Sequence, residues 1–236
     1  MALDLHSTAI DIVAARPTIA VFGIGAIEQH GRHLPIGTDW IAVCEVARLA
    51  AIELNALLIP SIPFSMSECH GLMPGTIWLK PATLAAVLRD VVRSLREQEI
   101  HKVLVINGHG GNFILVPAIQ ALNHEFADMR IVMPPEVWTF PDESTPIFKT
   151  SASEVHAGEA ETSILLHIIP EDVKPERKDF DPSVGREFLD YAFIHQINPE
   201  GVWGHPSYGE AAKGERAIAA RVRIVVDYAR LAFGDL

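Results

Sequence analysis

The sequence predicts an α/β fold: three layers, α/β/α, around a mainly parallel sheet. Three observations carry that expectation. Short apolar runs alternate with segments of helical periodicity, the pattern of strands joined by crossover helices. The run Val103-Leu104-Val105-Ile106 is apolar at every position, as a strand covered on both faces requires. Glycine-rich turns carrying His, Glu and Asp directly follow two of these runs, at the carboxyl ends of strands where parallel sheets place their ligands.

The elements follow in order. Residues 18–24 read as a buried strand. Residues 39–54 carry Ile41, Val43, Val46, Ala47 and Leu49 at near-helical spacing, and Leu57-Leu58-Ile59 is a short strand ending at Pro60. A helix over 82–98 starts with Thr83 as its N-cap and puts Leu84, Val87, Leu88, Val91 and Leu95 on one face. The clearest strand is 101–106; a helix over about 112–127 and a strand at 130–133 come next. Residues 138–153, with Pro141 and Pro146, read as a long loop in which Trp138 either lines a pocket or packs beneath it. One helix runs from Ala157 to Ile169, stopped by Pro170, and the last from Glu210 to Phe233.

Composition narrows the function. Nineteen Lys+Arg against 30 Asp+Glu leave a formal charge of −11 over 236 residues. Nucleic-acid affinity comes from neutralising phosphates, so an acidic chain with scattered basic residues is a poor candidate for it. A chain of this size buries about 70% of its unfolded surface, so one domain over 1–236 needs no disulfide. Only Cys44 and Cys69 are present, in no metal-finger spacing, which fits a reducing, cytoplasmic compartment. No apolar run reaches the length of a membrane span, and no basic region precedes an apolar stretch at the N-terminus. We expect no membrane contact and no signal peptide.

The histidines are the unusual feature, because several of the 11 sit beside Gly, Glu and Asp. Gly23-x-Gly25 after the first strand invites a dinucleotide reading, but Glu28 stands where the third glycine belongs and would repel a pyrophosphate. Glu28 and His30, at i and i+2, project to the same side of an extended backbone. Asp39 follows just before a helix. Carboxylate, imidazole and carboxylate around one loop suit a divalent metal; a solvated loop with Asp39 as a cap would use the same residues. Asn107-Gly108-His109-Gly110-Gly111-Asn112 turns sharply after the next long strand and puts one His among three glycines. In Glu154-Val155-His156-Ala157-Gly158-Glu159-Ala160-Glu161, a helix starting at Ala157 points Glu159 and Glu161 in different directions, so at most one faces a site shared with His156. Glu159 suits a charged first turn. His70, in Cys69-His70-Gly71, reads alone as a loop histidine.

Together these segments resemble the creatininase family (creatinine amidohydrolase and its relatives). The matched pieces are Glu28-Gln29-His30-Gly31-Arg32-His33-Leu34-Pro35 with Asp39, His70 with Pro74-Gly75-Thr76-Ile77, Asn107 to Asn112, His156-Ala157-Gly158 with Glu161-Thr162-Ser163, and Gly201-Val202-Trp203-Gly204-His205-Pro206 with Gly214-Glu215. The resemblance implies a metal-dependent amidohydrolase that opens a C–N amide bond of a small cyclic amide or formamide with a metal-activated water. Two divalent ions (Zn, Mn or Fe) would be bridged by an aspartate: Glu28, Asp39 and His109 on one ion, His30 and Asp39 on the other. Creatininase proper has a Tyr-Glu pair where this chain has Gly110-Gly111; Glu161 is the candidate for the missing carboxylate. His156, outside that set, is the expected general acid–base, and Gly75, Thr76 and Gly110 are expected at the substrate. The resemblance also implies a homo-oligomer, commonly a hexamer. Other family members are a formamide hydrolase on a pyrimidine nucleotide and a peptide-trimming hydrolase of a redox-cofactor pathway. Arg32 is the positive charge within the motifs that a phosphate would need. A non-enzymatic metal-binding protein is the remaining alternative.

Overall fold

In the computed structural model, residues 3–135, 146–150 and 154–234 are described. Eleven helices and strands follow one another: α1 (Ala9–Ala15), β1 (Ile19–Ile24), α2 (Thr38–Leu54), β2 (Leu57–Leu58), α3 (Pro81–Glu97), β3 (Lys102–Asn107), α4 (Leu115–Glu125), β4 (Arg130–Val132), α5 (Glu159–Ile168), α6 (Ile194–Ile197) and α7 (Ala211–Phe233). The four strands form one parallel sheet in the order β2-β1-β3-β4, with Ala20 paired to Val103 and Gly23 to Ile106.

Period-two alternation divides the core. Ala20, Phe22, Ile24, Val103 and Val105 face α3 and α4, meeting Leu84, Leu88 and Leu115. Val21, Leu104 and Ile106 face the other way, against Val43 and Ala47 of α2, Ile164 and Leu165 of α5, and Ala217 and Val225 of α7. Strands apolar on both faces therefore sit between two helical layers, as expected of a buried parallel sheet.

Element ends moved where cap chemistry overruled periodicity. Thr83 does not cap α3. Pro81 occupies its first turn and Lys80 precedes it, since proline lacks the N–H a first turn leaves unpaired. Helix α5 begins at Glu159 rather than Ala157, because Ala157 is left-handed (φ 53°) and Gly158 extended. Helix α4 begins three residues later than expected, after the turn that carries His109. Helix α1 had no periodicity signal; its sequence mark is a capping box in which Asp11 N donates to Thr8 Oγ1 and Thr8 N donates to Asp11 Oδ2. The glycines that mimic a dinucleotide turn serve packing. A Cβ on Gly25 would lie 2.5 Å from Trp40 Cα, so its absence lets the start of α2, with Asp39, close on the end of β1. Most of the expected 138–153 loop, including Trp138, lies outside the described residues. Among the described residues, no helix is long and apolar enough to cross a membrane.

Candidate metal centre

Glu28 and His30 follow β1, Asp39 lies in the first turn of α2, His109 follows β3, and His156 and Glu161 sit before and in the first turn of α5. Parallel strand direction and the approach of α2 bring these sequence-distant side chains to one end of the sheet. Glu28, His30, Asp39, His109 and His156 are all buried, and Glu161 is half-buried.

Backbone carbonyls set the imidazoles. His30 Nδ1–H donates to Glu28 O (3.0 Å), leaving Nε2 3.4 Å from Asp39 Oδ1 and 3.8 Å from Glu161 Oε2. His109 Nε2–H donates to Met66 O (2.9 Å), and its Nδ1 lies 2.8 Å from Asp39 Oδ2. His156 Nε2–H donates to Gln29 O (2.6 Å), which turns Nδ1 toward Glu28 Oε1 at 3.5 Å. Three ring nitrogens thus point their remaining valence at carboxylate oxygens. Both Glu28 oxygens, His30 Nε2 and Asp39 Oδ2 are buried without a hydrogen-bond partner. Orphaned buried acceptors facing one another are costly unless a cation lies between them, and backbone-fixed imidazoles are the usual support of a metal site. Three groups bring one ligand atom each within 4.8 Å of the others: Glu28, Asp39 and His109; His30, Asp39 and Glu161; and Glu28, His30 and His156. The nitrogen and oxygen donors fit a divalent ion.

The protonation equilibria express the same demand for positive charge. Burial raises Glu28 to about 7 against the pull of His109. Burial would also raise Asp39, but His30 and His109 hold it below the carboxylate range. Burial works to lower both histidines; Glu28 and Asp39 nevertheless lift His109 to about 9, and Asp39 with Glu161 holds His30 well above its ordinary value. Protons held this way are displaced when a metal binds. Burial, with His30 and His70 alongside, keeps His156 well below its ordinary value.

The remaining motif residues take other places. The buried Glu159 carboxylate accepts from Lys149 N, Thr150 N, Thr150 Oγ1 and Lys213 Nζ, at 2.7 to 3.0 Å, away from the cluster. Glu161 faces it, with Oε2 also accepting from Ala157 N at 2.5 Å. His33 Nε2 meets Thr162 Oγ1 (3.1 Å) and His205 meets Asp181, so both brace the loops around α5. Gly75 and Thr76, expected at the substrate, do not line the cavity over the cluster. Thr76 Oγ1 instead accepts from Gln29 N (3.1 Å) and steadies the first motif. Arg32 is exposed, bonded to Glu176 and Glu200, and off the cavity wall.

Three contributors escaped sequence reasoning. Gln29 Nε2 donates to Gly201 O and to His70 Nδ1, and His70 Nε2 then lies 3.5 Å from Glu28 Oε1. Arg186 Nη2 donates to Gly110 O at 2.9 Å. Gln29 and His70 sit inside matched motifs, but neither has metal-ligand spacing; Arg186 lies in a segment without periodicity. The cluster opens on a cavity of about 870 Å³ whose wall includes Asp39, His109, Gly110, His156, Glu161 and Arg186.

Such a cluster at the carboxyl ends of a parallel sheet, open to a substrate-sized cavity, defines a metal-dependent hydrolase. The profile of the creatininase family, described as creatinine amidohydrolase, matches residues 4–229. The chain belongs to the creatininase family and is a metal-dependent amidohydrolase of it. It is 30% identical over 215 residues to the mycofactocin precursor peptide peptidase of Mycolicibacterium smegmatis, covering 86% of this chain and 81% of that one. To the creatinine amidohydrolase of Pseudomonas putida it is 26% identical over 182 residues, 70% of each chain. A crystal structure of creatinine amidohydrolase superposes with a TM-score of 0.86 at 22% identity, covering 100% of this chain and 99% of that one, which shows the shared fold.

Proposed function

We propose that this chain hydrolyses an amide C–N bond at a dinuclear centre, with Glu28, Asp39 and His109 on one divalent ion and His30, Asp39 and Glu161 on the other. The observation that carries this reading is Asp39, whose Oδ1 faces His30 at 3.4 Å while Oδ2 faces His109 at 2.8 Å, one oxygen for each group. Zinc, manganese and iron all suit mixed nitrogen and oxygen donors. Two bound ions would polarise the amide carbonyl and acidify a water. His156 supplies the proton path. Its Nε2–H is tied to Gln29 O, so Nδ1 takes the proton from water and passes it to the leaving nitrogen while the hydroxyl goes to the carbonyl carbon. Its depressed pKa keeps it neutral at pH 7 and a ready donor once protonated.

For the substrate, we favour a short peptide. A cavity of about 870 Å³ is in the range of drug-sized ligands, and a ring amide would fill a small part of it. The relative named as a precursor peptide peptidase supports the same choice. A small cyclic amide or formamide is the second reading, supported by the creatinine amidohydrolase relative. A nucleotide formamide fits less well, because the cavity wall carries one arginine against six carboxylates. We also propose a cytoplasmic location and a homo-oligomer, a hexamer by family resemblance.

The test strips metal with a chelator, reloads with Zn, Mn or Fe, counts ions per chain and screens peptides, creatinine and formamides. Two ions per chain and peptide cleavage are expected. Fewer than one ion per chain, or no hydrolysis of any amide, overturns the reading. Light scattering checks the assembly, and a clean monomer removes the hexamer.

A further inference from the structure

We propose that Arg186 recognises a carboxylate on the substrate, next to the amide bond that is cut. The substrate would then be a peptide or N-acyl amino acid with a free carboxylate within about a residue of the scissile bond. This inference rests on the amide-hydrolase reading above and narrows its substrate class.

Position is the first argument. Arg186 opens the short 3-10 turn Arg186–Asp190 and lines the cavity. Its Nη2 donates to Gly110 O at 2.9 Å, one residue from His109. A Cβ on Gly110 would lie 2.7 Å from that Nη2, so the guanidinium fills the space that a side chain at 110 would take. A charged group from a distant segment is thereby seated against the turn that carries a proposed metal ligand.

Valence is the second argument. A guanidinium has five N–H donors in a planar fork, and one of Arg186's is used by Gly110 O. Arg32, Arg48, Arg89, Arg93, Arg96 and Arg230 each have a carboxylate within 4.0 Å. Arg186 has none among the described residues, although Glu187 and Asp190 are close in sequence; Arg16, Arg130 and Arg177 share that state, but none of them lines the cavity. A cation with most of its fork free, beside the centre and facing a cavity, is built to receive a planar anion, and Arg pairs with carboxylate through two parallel bonds.

Charge selects among anions. Glu187 and Asp190 share the cavity wall with Arg186. Attraction and repulsion both double for a dianionic phosphate, and two carboxylates against one arginine leave the balance on this stretch of wall unfavourable to the larger charge. One carboxylate on one arginine is the better match.

The experiment uses metal-reloaded protein and pairs of short peptides and N-acyl amino acids, each as free acid and as carboxamide. Wild type should favour the acid in kcat/KM by about ten- to hundredfold, the range of a charge-assisted bond. Arg186→Gln should bring the acid-to-amide ratio to within about twofold of one, with ions per chain unchanged. Arg186→Lys should keep part of the preference. A wild-type ratio near one, or a ratio that Arg186→Gln leaves intact, overturns the inference. Calorimetric titration with N-acetylalanine and N-acetylalaninamide separates this from the hydrolase reading. If nothing is cleaved, yet the acid binds about tenfold more tightly in wild type and not in Arg186→Gln, the hydrolase reading fails and the carboxylate site stands. Equal binding, or no binding of either, removes the site.

Discussion

Replacing Gly111 with alanine should detach His109 from its support. A Cβ there would press on His109 Nε2 and lie 2.6 Å from Met66 O, the two ends of the 2.9 Å hydrogen bond that orients the ring. Met66 O is backbone and the imidazole is buried, so one of them must move and the bond is lost. The bond contributes about 1 to 1.5 kcal/mol, and forcing a methyl into a packed site costs about 1 to 3 kcal/mol. The sum is about 2 to 4.5 kcal/mol, or about 4 to 18 °C in Tm for a chain of this length. Losing the partner that orients a ligand should also weaken metal binding about ten- to hundredfold. Gly110→Ala is the control. Its Cβ meets only the far end of the exposed Arg186 side chain, which can swing aside, so stability should change by less than about 0.5 kcal/mol and metal affinity should hold. Scanning calorimetry and competitive chelator titration read both quantities. Wild-type Tm and metal affinity in Gly111→Ala, or equal losses in the two variants, would refute the reasoning.

Three further outcomes follow from the same geometry. His156→Asn should lower kcat by about 10²- to 10⁴-fold at unchanged ions per chain; loss of an ion instead makes His156 a ligand with Glu28 and His30. Glu159→Ala removes the buried carboxylate that accepts from Lys149 N, Thr150 N and Lys213 Nζ, while the half-buried Lys213 keeps Glu210; it should cost about 1.5 to 3 kcal/mol in urea titration without altering metal affinity, whereas Glu161→Gln should weaken metal binding and leave the metal-free protein nearly as stable. Burial, with Arg177 and His30 nearby, lowers His33 to about 4, so below about 6.5 the unfolded chain takes a proton that the folded chain refuses. Its contribution is complete above about pH 6.5 and is lost as pH falls toward 4, about 2 kcal/mol by pH 5. Urea midpoints at pH 7 and 5 should show a shallower pH dependence in His33→Gln, and identical slopes would sink the assignment.

Much of the site was legible along the chain. Glu28 and His30 share a motif, His109 is framed by glycines, and a metal explains why such residues interrupt loops that need no charge. The separation of Glu159 from Glu161 was open in the sequence, because helical geometry says only that the two diverge. Packing resolved it: Lys213 of α7 and the backbone at 149–150 claim Glu159, and α5 turns Glu161 toward His30. For Gly75 and Thr76 the sequence left the role open, because a motif preserves loop bracing, such as the Gln29 N to Thr76 Oγ1 bond, and substrate contact alike, and spacing does not distinguish them.

By itself, the sequence determined the parallel sheet with helices on both faces, the donor types of the site and the family, all of which depend on short-range pattern: apolar periodicity, glycine turns and local motifs. Only the tertiary structure decided which nitrogen of each histidine faces the cluster, since that depends on carbonyls of Glu28, Gln29 and Met66 brought into range by folding. It also decided which arginine serves the cavity. Arg32 sits inside a motif yet is held outside by Glu176 and Glu200, while Arg186, 76 residues from Gly110 along the chain, reaches the turn beside His109. Long-range placement of this kind is set by how the layers pack, and no local pattern encodes it.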